Sequence, residues 1–425
     1  MNNALILDET ARPAASPAAT SFYQRLVLGA LEKMTQGSLR LEMPDGSVRI
    51  FGTPGISVDA VMRIRQSGFF RRCVLFGDVG FGESYVEGEW ETDSLERVIS
   101  WAIINLENSP TMSGSKAQHF GLNLLKFYNW AVHALHPNSL RYARENIAKH
   151  YDLGNDFYRL WLDPGMTYSS AYFTAAEQTL ESAQTAKYEA LCRKLRLQAT
   201  DRVLEIGGGW GGFACHAARH YGCHVTTVTI SQAQFDYAQK RIAREGLESS
   251  IELKLQDFRH LAGRYDKIVS IEMMEALGDG YLAPFCAKLH ELLEPHGLVG
   301  LQYITVPDSR HAELRRGVDW IQKHIFPGSI LLSVGRVNET LNRTGDLFLH
   351  DLEDLGASYT RTLHTWWTTF NRQLDAVRRQ GFDERFIRKW NYYLQYCEAA
   401  FALRNISVVQ AVYTRPNNRH LAAVS

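Results

Sequence analysis

The feature that most constrains the fold is an apolar run that ends in an acid and opens onto alternating glycines. Val203 to Ile206 has the aliphatic character of a buried strand, and Gly207, Gly209 and Gly211 follow it at every second position. Glycines at this spacing let the backbone adopt positive φ angles and let a ligand approach main-chain N–H groups. Glu205, near the end of the run, can accept hydrogen bonds from such a ligand. The segment predicts a strand that turns sharply into a helix around a nucleotide-like ligand.

Two other interpretations of these glycines remain open at this point: a turn that only packs helix against strand, or an NAD site. Cys223 to Ile230 is rich in β-branched residues and predicts a second strand, and a helical stretch follows at Phe235 to Glu245. NAD-binding folds usually place an acid at the end of that second strand to hold the ribose. Thr229 to Ser231 stands there instead, which argues against NAD.

Polar groups that follow three predicted strands are expected to meet at one edge of a doubly wound α/β sheet. Ser231 and Gln234 come after the second strand, and Asp257 comes after the alternating segment Ile251 to Leu253. In such a sheet the ligand binds at the carboxyl ends of the strands. These side chains and the glycine turn should therefore line one crevice.

Several long motifs, in a fixed order, identify a family. They are the glycine turn with Trp210-Gly211-Gly212, VTISQAQ (228–234), HYDLGNDFY (150–158), MTYSSAYF (166–173), IFPGS (325–329), GASYTRTL (356–363) and WNYYL (390–394). Together they resemble the cyclopropane-fatty-acid synthase family over about residues 146–416.

The resemblance implies a fold, a cofactor and a substrate. The fold is a doubly wound, Rossmann-like class I methyltransferase sheet, the cofactor is S-adenosylmethionine, and the substrate is an unsaturated phospholipid acyl chain. It also implies that Tyr168 and Ser169 touch the methionine end of the cofactor. The expected cofactor-binding residues are Tyr168, Ser169, Glu205, Gly207, Gly209, Gly211, Thr229, Ser231, Gln234, Asp257 and Phe258. No metal is expected, because the six cysteines show no metal-ligand spacing with histidine.

The chemistry of this family requires a base. Methyl transfer to an alkene leaves a carbocation on the acyl chain, and forming a cyclopropane or a methylene branch then requires loss of a proton. In the family the base is thought to be bicarbonate, held by a Glu, a His, a Tyr and main-chain groups beside a Cys. Glu275 and Tyr359 match the Glu and the Tyr. Ser170 stands at the Cys position, Ala276 at the position of a His after the Glu, and Gln302 at the second His position.

These departures remove a titratable imidazole but keep hydrogen-bond donors at Ser170 and Gln302. Two hypotheses follow. Either Glu275, Tyr359, Ser170 and Gln302 hold bicarbonate, or the Glu275 carboxylate is itself the base. Glu272, nearer the predicted strand, is the weaker candidate. The aromatic side chains that are candidates for stabilising the cation are Tyr168, Tyr172, Phe173, Tyr303 and Tyr359.

A chain of 425 residues exceeds what one core usually supports, so two domains are expected. The predicted divisions are a flexible tail (1–20), a small α+β domain (21–107), a linker with a connecting helix (108–140), the methyltransferase domain with acyl-pocket helices (141–416) and a tail (417–425). In the small domain, 58–66 is predicted to be helical, and Gly80 to Trp90 to form tight turns with aromatic core residues.

No run of 18 apolar residues exists, so no membrane-spanning helix is predicted. The counts of 46 basic and 46 acidic residues give no electrostatic argument for nucleic acid. We expect a cytoplasmic protein that visits the inner face of the membrane to reach phospholipid acyl chains, and the resemblance favours a homodimer. A cyclopropane is the leading product. The alternatives are a methylene branch that a separate reductase would saturate, and a lipid-binding relative without catalysis.

Overall fold

The computed structural model describes residues 21–106, 153–315 and 317–421. Four parts of the chain lie outside the described residues. They are the predicted N-terminal tail, the linker with its connecting helix, His150 to Asp152 of the HYDLGNDFY motif, and residues 422–425.

The N-terminal unit is a four-stranded sheet with three helices. Its strands are β1 (Ser38–Glu42), β2 (Val48–Gly52), β3 (Asp59–Ile64) and β4 (Trp90–Glu91), and its helices are α1 (Phe22–Leu31), α2 (Gly68–Val86) and α3 (Leu95–Ile104). The strand order is β2-β1-β3-β4, in which β1 and β3 are parallel and the other pairs antiparallel. The helix predicted at 58–66 is wrong: Ala60, Met62 and Ile64 are buried at every second position, which is the period of a strand.

The expected tight turns are wrong at Gly80 and Gly82, which lie in α2, but Gly88, with a φ of 74°, does form a turn between α2 and β4. The helix is kinked at Gly77, whose φ of 58° is not helical. Gly82 lies beyond the kink, where an added Cβ would come within 2.5 Å of the Trp320 ring and 2.8 Å of the Tyr392 ring. The glycine is therefore required for close packing of two aromatic side chains. The predicted burial of the aromatic residues holds for Trp90, which has no exposed surface.

The large unit has a seven-stranded sheet. Its strands are β5 (Arg202–Ile206), β6 (His224–Thr229), β7 (Ile251–Leu255), β8 (Tyr265–Ile271), β9 (Leu293–Thr305), β10 (Phe348–Asp354) and β11 (Ser407–Thr414). They lie in the order β10-β11-β9-β8-β5-β6-β7. Strand β11 runs in the opposite direction to the other six, which are parallel to one another. The order reverses direction between β5 and β8, so a crevice is expected at the carboxyl ends of these strands. The predicted doubly wound α/β fold is confirmed.

Helices cover both faces of this sheet. They are α4 (Asn155–Tyr158), α5 (Leu180–Lys194), α6 (Gly212–Tyr221), α7 (Gln232–Arg244), α8 (Leu282–Leu292), α9 (Asp308–Leu314), α10 (Trp320–His324), α11 (Val334–Thr344), α12 (Gly356–Arg372), α13 (Leu374–Arg379) and α14 (Glu384–Ala402). Adjacent strand residues point to opposite faces. Val203 accordingly packs in one core with Phe213 of α6, and Leu204 packs in another with Phe285 of α8. None of the helices within the described ranges combines the length and apolar character needed to cross a membrane.

A third core joins the N-terminal unit to α12 and α14. It is contiguous from Phe70 and Trp90 of the N-terminal unit to Trp366 and Trp390 of these two helices. The Arg388 guanidinium of α14 adds polar contacts, donating to the main-chain oxygens of Tyr85 and Trp90 at 2.6 and 2.9 Å. The N-terminal unit therefore packs directly on the helices that follow the sheet.

Replacing Gly82 with Ala tests this packing. We expect the free energy of unfolding to fall by about 1–3 kcal/mol, because the new methyl group overlaps two buried rings. Gly29→Ala in α1 is the matched control. In the described chain no atom lies within 4 Å of the Cβ added there, so removing a helical glycine should stabilise the protein by roughly 0.5–1 kcal/mol. Urea unfolding measures both, and equal effects of the two changes would contradict the packing argument.

Candidate active site

A cavity of about 380 Å³ opens at the carboxyl ends of β5, β6 and β8. Nine of the eleven predicted cofactor-binding residues line it: Tyr168, Ser169, Glu205, Gly207, Gly209, Thr229, Gln234, Asp257 and Phe258. The cavity continues between the segment 326–331 and helices α12 and α14, where Leu363, Cys397 and Phe401 form part of its wall. Its size is within the range of about 300–1,000 Å³ that is typical of small-molecule sites.

The glycine turn makes room for a ligand at Gly209. This residue has a φ of 53°, and in the part of the chain that the structure describes no atom lies within 4 Å of an added Cβ. The preceding Gly208 packs tightly, since a Cβ there would lie 2.0 Å from the Thr227 hydroxyl. Gly207 and Gly208 both donate their N–H groups to the Val228 main-chain oxygen at 3.0 Å, which fixes the turn against β6.

Two of the predicted cofactor-binding residues lie outside the cavity wall. Gly211, with a φ of 83°, precedes α6 and would bring a Cβ to 3.4 Å from the Ala238 methyl group of α7. Its role is helix packing. Ser231 begins α7 as its N-cap and accepts the N–H of Gln234 at 3.4 Å. Its side chain serves the helix terminus, whereas Gln234 itself borders the cavity.

The two acids of the predicted cofactor crevice differ in charge environment. Burial raises the pKa of Glu205 to about 7, and its carboxylate accepts the Thr227 hydroxyl at 2.6 Å. Burial also acts on Asp257, but the Arg259 guanidinium at 2.8 Å outweighs it and holds the pKa of that carboxyl below its ordinary value. Asp257 is therefore a fixed negative charge at the cavity edge.

Residues before the sheet attach to this crevice by side-chain hydrogen bonds. Trp210 donates its indole N–H to Asn155 at 2.8 Å, which joins the glycine turn to the start of α4. The Lys187 ammonium of α5 donates to the Ser169 hydroxyl at 2.6 Å. Lys187 is fully buried, and burial lowers its pKa to about 8. Nothing in the sequence marks this lysine, because it is one of several charged residues in the helix Leu180–Lys194.

Three of the four predicted catalytic residues converge on Glu272 rather than on Glu275. The Ser170 main-chain N–H and the Gln302 side-chain amide donate to one Glu272 carboxylate oxygen at 2.8 and 2.7 Å. The Tyr359 hydroxyl donates to the other oxygen at 2.9 Å. Glu272, interpreted from the sequence as the weaker candidate, is therefore the carboxylate that these donors surround. Its position as the first residue after β8, at the ligand edge of the sheet, was the available signal.

Glu275 has a different environment. One carboxylate oxygen accepts the Ile304 main-chain N–H at 2.5 Å, and the other is buried with no hydrogen-bond partner among the described residues. Burial, with the nearby Glu272 charge, raises the pKa of Glu275 to about 8. Burial also raises the pKa of Glu272, but Gln302 and Lys187 oppose this effect. Of two adjacent carboxyl groups, the one with donors ionises more readily, so the surroundings favour the charge on Glu272 and the proton on Glu275.

The cavity also has an aromatic wall. Of the candidates for stabilising a cation, Tyr168 and Tyr359 line the cavity. Tyr172, Phe173 and Tyr303 are not part of the wall, and the Tyr303 hydroxyl instead contacts the Tyr413 hydroxyl at 3.2 Å. Phe401 and Tyr393, which were not among these candidates, also belong to the wall: the Phe401 ring lies 4.4 Å from the Tyr359 ring, and the Tyr393 hydroxyl lies 2.9 Å from that of Tyr168. Cys397 is a wall residue whose burial raises the pKa of its thiol, which disfavours a nucleophilic role.

Comparison with known proteins assigns the chain to a family. Residues 138–411 match the model of the mycolic acid cyclopropane synthetase family. The chain belongs to this family. Like other family members it is an S-adenosylmethionine-dependent methyltransferase, as the motifs predicted.

Two relatives extend the similarity beyond the matched segment. A tuberculostearic acid methyltransferase of Mycobacterium tuberculosis is 36% identical over 381 residues, which cover 88% of this chain and 86% of the relative. The cyclopropane-fatty-acyl-phospholipid synthase of Escherichia coli is 37% identical over 367 residues, covering 84% and 89%. The crystal structure of a mycolic acid cyclopropane synthase complexed with SAH and CTAB superposes with a TM-score of 0.60 at 30% identity, covering 64% of this chain and 98% of that one. The class I methyltransferase fold is thereby confirmed.

Gly209→Val tests the cofactor crevice of this cyclopropane synthetase family member. The branched side chain would fill ligand space, so we expect S-adenosylmethionine to bind at least about 100-fold more weakly, a loss of roughly 2.7 kcal/mol. Gly246→Val is the matched control, because Gly246 also has a positive φ (67°) and lies outside the cavity wall. Calorimetry measures both affinities, and circular dichroism checks the fold. Equal affinities would contradict the assignment.

The state of Glu275 predicts a pH effect on stability. The folded protein keeps a proton on Glu275 up to about pH 8, whereas the unfolded chain loses it near pH 4.5. The free energy of unfolding should therefore fall as pH rises through this window, by about 1.4 kcal/mol for each unit of pKa difference. Glu275→Gln should flatten this dependence in urea unfolding between pH 5 and pH 8. Exposed Glu248→Gln controls for the lost charge, and equal slopes in wild type and Glu275→Gln would refute the prediction.

Proposed function

We propose that this methyltransferase adds one carbon across the double bond of an unsaturated phospholipid acyl chain and forms a cyclopropane. The observation that carries the proposal is a single cavity that joins the glycine turn to an apolar, aromatic wall with buried carboxyl groups at the junction. An acyl chain suits such a wall, and a carbocation on it gains about 2 kcal/mol over an aromatic face. The Escherichia coli relative is named as a cyclopropane-fatty-acyl-phospholipid synthase.

The residues of the crevice fit S-adenosylmethionine. The space at Gly209, which a Cβ would fill, belongs to a cavity that Glu205, Thr229 and Tyr168 also line. In our proposal Glu205, Gly207, Gly209, Thr229, Gln234, Asp257 and Phe258 hold the cofactor, and Tyr168 and Ser169 touch its methionine end. When bound, S-adenosylmethionine supplies an electrophilic methyl group on a sulfonium centre.

Bicarbonate, by contrast, does not fit these residues as they stand. The Ser170 N–H, the Gln302 amide and the Tyr359 hydroxyl are the donors that would hold it, and all three are bonded to the Glu272 carboxylate. The other predicted ligand, Glu275, carries a proton, since its pKa is raised to about 8. We therefore assign no step of the reaction to bound bicarbonate.

The side chains of the cavity have distinct proposed roles. Tyr359 and Tyr168 offer ring faces to the cation, and their burial with Phe401 keeps water away from it. Ser170 and Gln302 act through their hydrogen bonds to Glu272. Glu275, protonated beside Glu272, is proposed to donate a hydrogen bond rather than to accept the proton.

A methyl branch is the second candidate product. The relative that spans 88% of this chain is named as a tuberculostearic acid methyltransferase, and the residues around the proton acceptor, Ser170, Ala276 and Gln302, are those that depart from the family pattern. The first step would be the same, but a hydride shift before proton loss would give a methylene group. A separate reductase would then be needed to saturate it. A lipid-binding relative without catalysis is disfavoured by the retained cavity residues.

The substrate is proposed to be reached from the membrane surface. Phe22, Leu26, Ile50 and Ile56 of the N-terminal unit are large apolar residues with at least 46% of their surface exposed, which supports transient contact with lipid at the inner face of the membrane. A cytoplasmic location and a homodimer are parts of the same proposal, which cell fractionation and light scattering test separately.

Lipid analysis of cells that express the protein tests the activity. We expect unsaturated phospholipid acyl chains to gain the mass of one CH₂ group in mass spectrometry, and Gly209→Val to abolish this gain. Proton NMR of the isolated fatty acids then distinguishes a cyclopropane methylene from a methyl or methylene branch. No mass gain from the wild-type protein would refute the proposal, and a branch signal would select the second candidate.

A further inference from the structure

Gln302 is held with its amide group in one orientation. The Lys194 ammonium, which can only donate, bonds to the Gln410 side-chain oxygen at 3.1 Å. The Gln410 nitrogen must then face the Gln302 oxygen, to which it donates at 3.0 Å. The Gln302 nitrogen is consequently directed at the Glu272 carboxylate, 2.7 Å away. This series of hydrogen bonds fixes the Gln302 N–H group as a donor, so the group that it faces must be an acceptor.

The other neighbours of the Glu272 carboxylate also favour an anion. The main-chain N–H of Ser170 has no acceptor capacity, and burial keeps the pKa of Tyr359 well above its ordinary value, so its hydroxyl remains a donor. Lys187 is buried nearby and contributes a favourable charge. Three converging donors with a buried cation form a site for a carboxylate or a bicarbonate ion.

The backbone of Glu272 has a strained conformation, and in this conformation its carboxylate meets the three donors. Its φ is 49°, in the left-handed region that suits glycine and that costs other residues about 1 kcal/mol or more. Within the described part of the chain, Glu272 caps no helix and forms no ion pair that would account for this conformation. Strain of this kind at a residue lining a cavity is a common property of functional sites.

We propose that the Glu272 carboxylate occupies the anion site of this enzyme permanently and is the proton acceptor of the reaction. The proposal deepens the proposed function and rests on it. The alkene π electrons form a bond to the transferred methyl carbon, and the electrons of the broken C–S bond leave with sulfur. A Glu272 oxygen then takes a proton from the new methyl group, and the electrons of that C–H bond close the three-membered ring. The proton on Glu272 is finally released to water.

The test compares wild type, Glu272→Gln and Glu272→Gly in buffer freed of carbon dioxide. Wild-type turnover should not depend on added bicarbonate. Both variants should lose about 10²-fold or more in turnover, the usual scale for a positioned base, while S-adenosylmethionine affinity measured by calorimetry changes less than about threefold, roughly 0.7 kcal/mol. Glycine relieves the backbone strain at this position, so thermal unfolding of Glu272→Gly should show an intact fold.

Glu272→Gly also vacates the anion site, and this gives a second readout. Bicarbonate or formate should restore activity to Glu272→Gly but not to Glu272→Gln, whose amide still fills the site. Independently of activity, ¹³C NMR should detect ¹³C-bicarbonate binding to Glu272→Gly and none to wild type.

The proposal would be overturned by bicarbonate-dependent wild-type turnover, by bicarbonate binding to wild type, or by a Glu272→Gln variant of full activity. A larger loss in Glu275→Gln than in Glu272→Gln would likewise assign the proton to Glu275. If wild type adds no carbon to lipid, the proposed function fails. The NMR comparison still decides whether Glu272 occupies an anion site.

Discussion

A negative charge inside an apolar cavity must be matched by donors, and the arrangement around Glu272 follows from this requirement. The donors come from segments far apart in sequence: Ser170 precedes the sheet, Gln302 lies on β9 and Tyr359 lies on α12. Each reaches the carboxylate at 2.7–2.9 Å. The carboxylate thus ties the sheet to the loop before it and to the helices that cover the acyl region.

The same charge determines the state of its neighbour. Glu275 would be an ordinary acid in water, but burial beside an ionised carboxyl raises its pKa to about 8. One position of the pair is surrounded by donors, and the other has a single main-chain donor and a buried oxygen. Two chemically identical side chains three residues apart therefore differ in how strongly their surroundings favour the ionised form.

The sequence predicted the doubly wound sheet, the glycine turn and most of the cofactor crevice, because strand periodicity and positive-φ glycines are local signals. Gly211 and Ser231 do not line the cavity, because helix packing and N-capping select the same residue types as ligand contact. The choice of Glu275 over Glu272 had a different cause. Hydrogen bonds from Gln302 and Tyr359 depend on tertiary proximity, and no spacing along the chain encodes them. The strand at 59–64 was predicted to be a helix because its apolar residues at 60, 61, 62 and 64 do not alternate strictly in sequence, and the alternating burial of this strand arises only in the folded sheet.

The contact between Gly82 and Trp320 affects the shape of the cavity wall. Trp320 begins α10, and the next residue, Ile321, forms part of the cavity wall. A further link holds the same helix, since the Lys323 and His324 side chains bond to Glu83 of α2 at 2.7 and 2.9 Å. One side of the cavity wall is therefore supported from the N-terminal unit, whereas the glycine turn and Glu272 lie at the edge of the sheet. A change of sequence in the N-terminal unit can thus reshape this side of the wall without replacing any residue of the sheet edge.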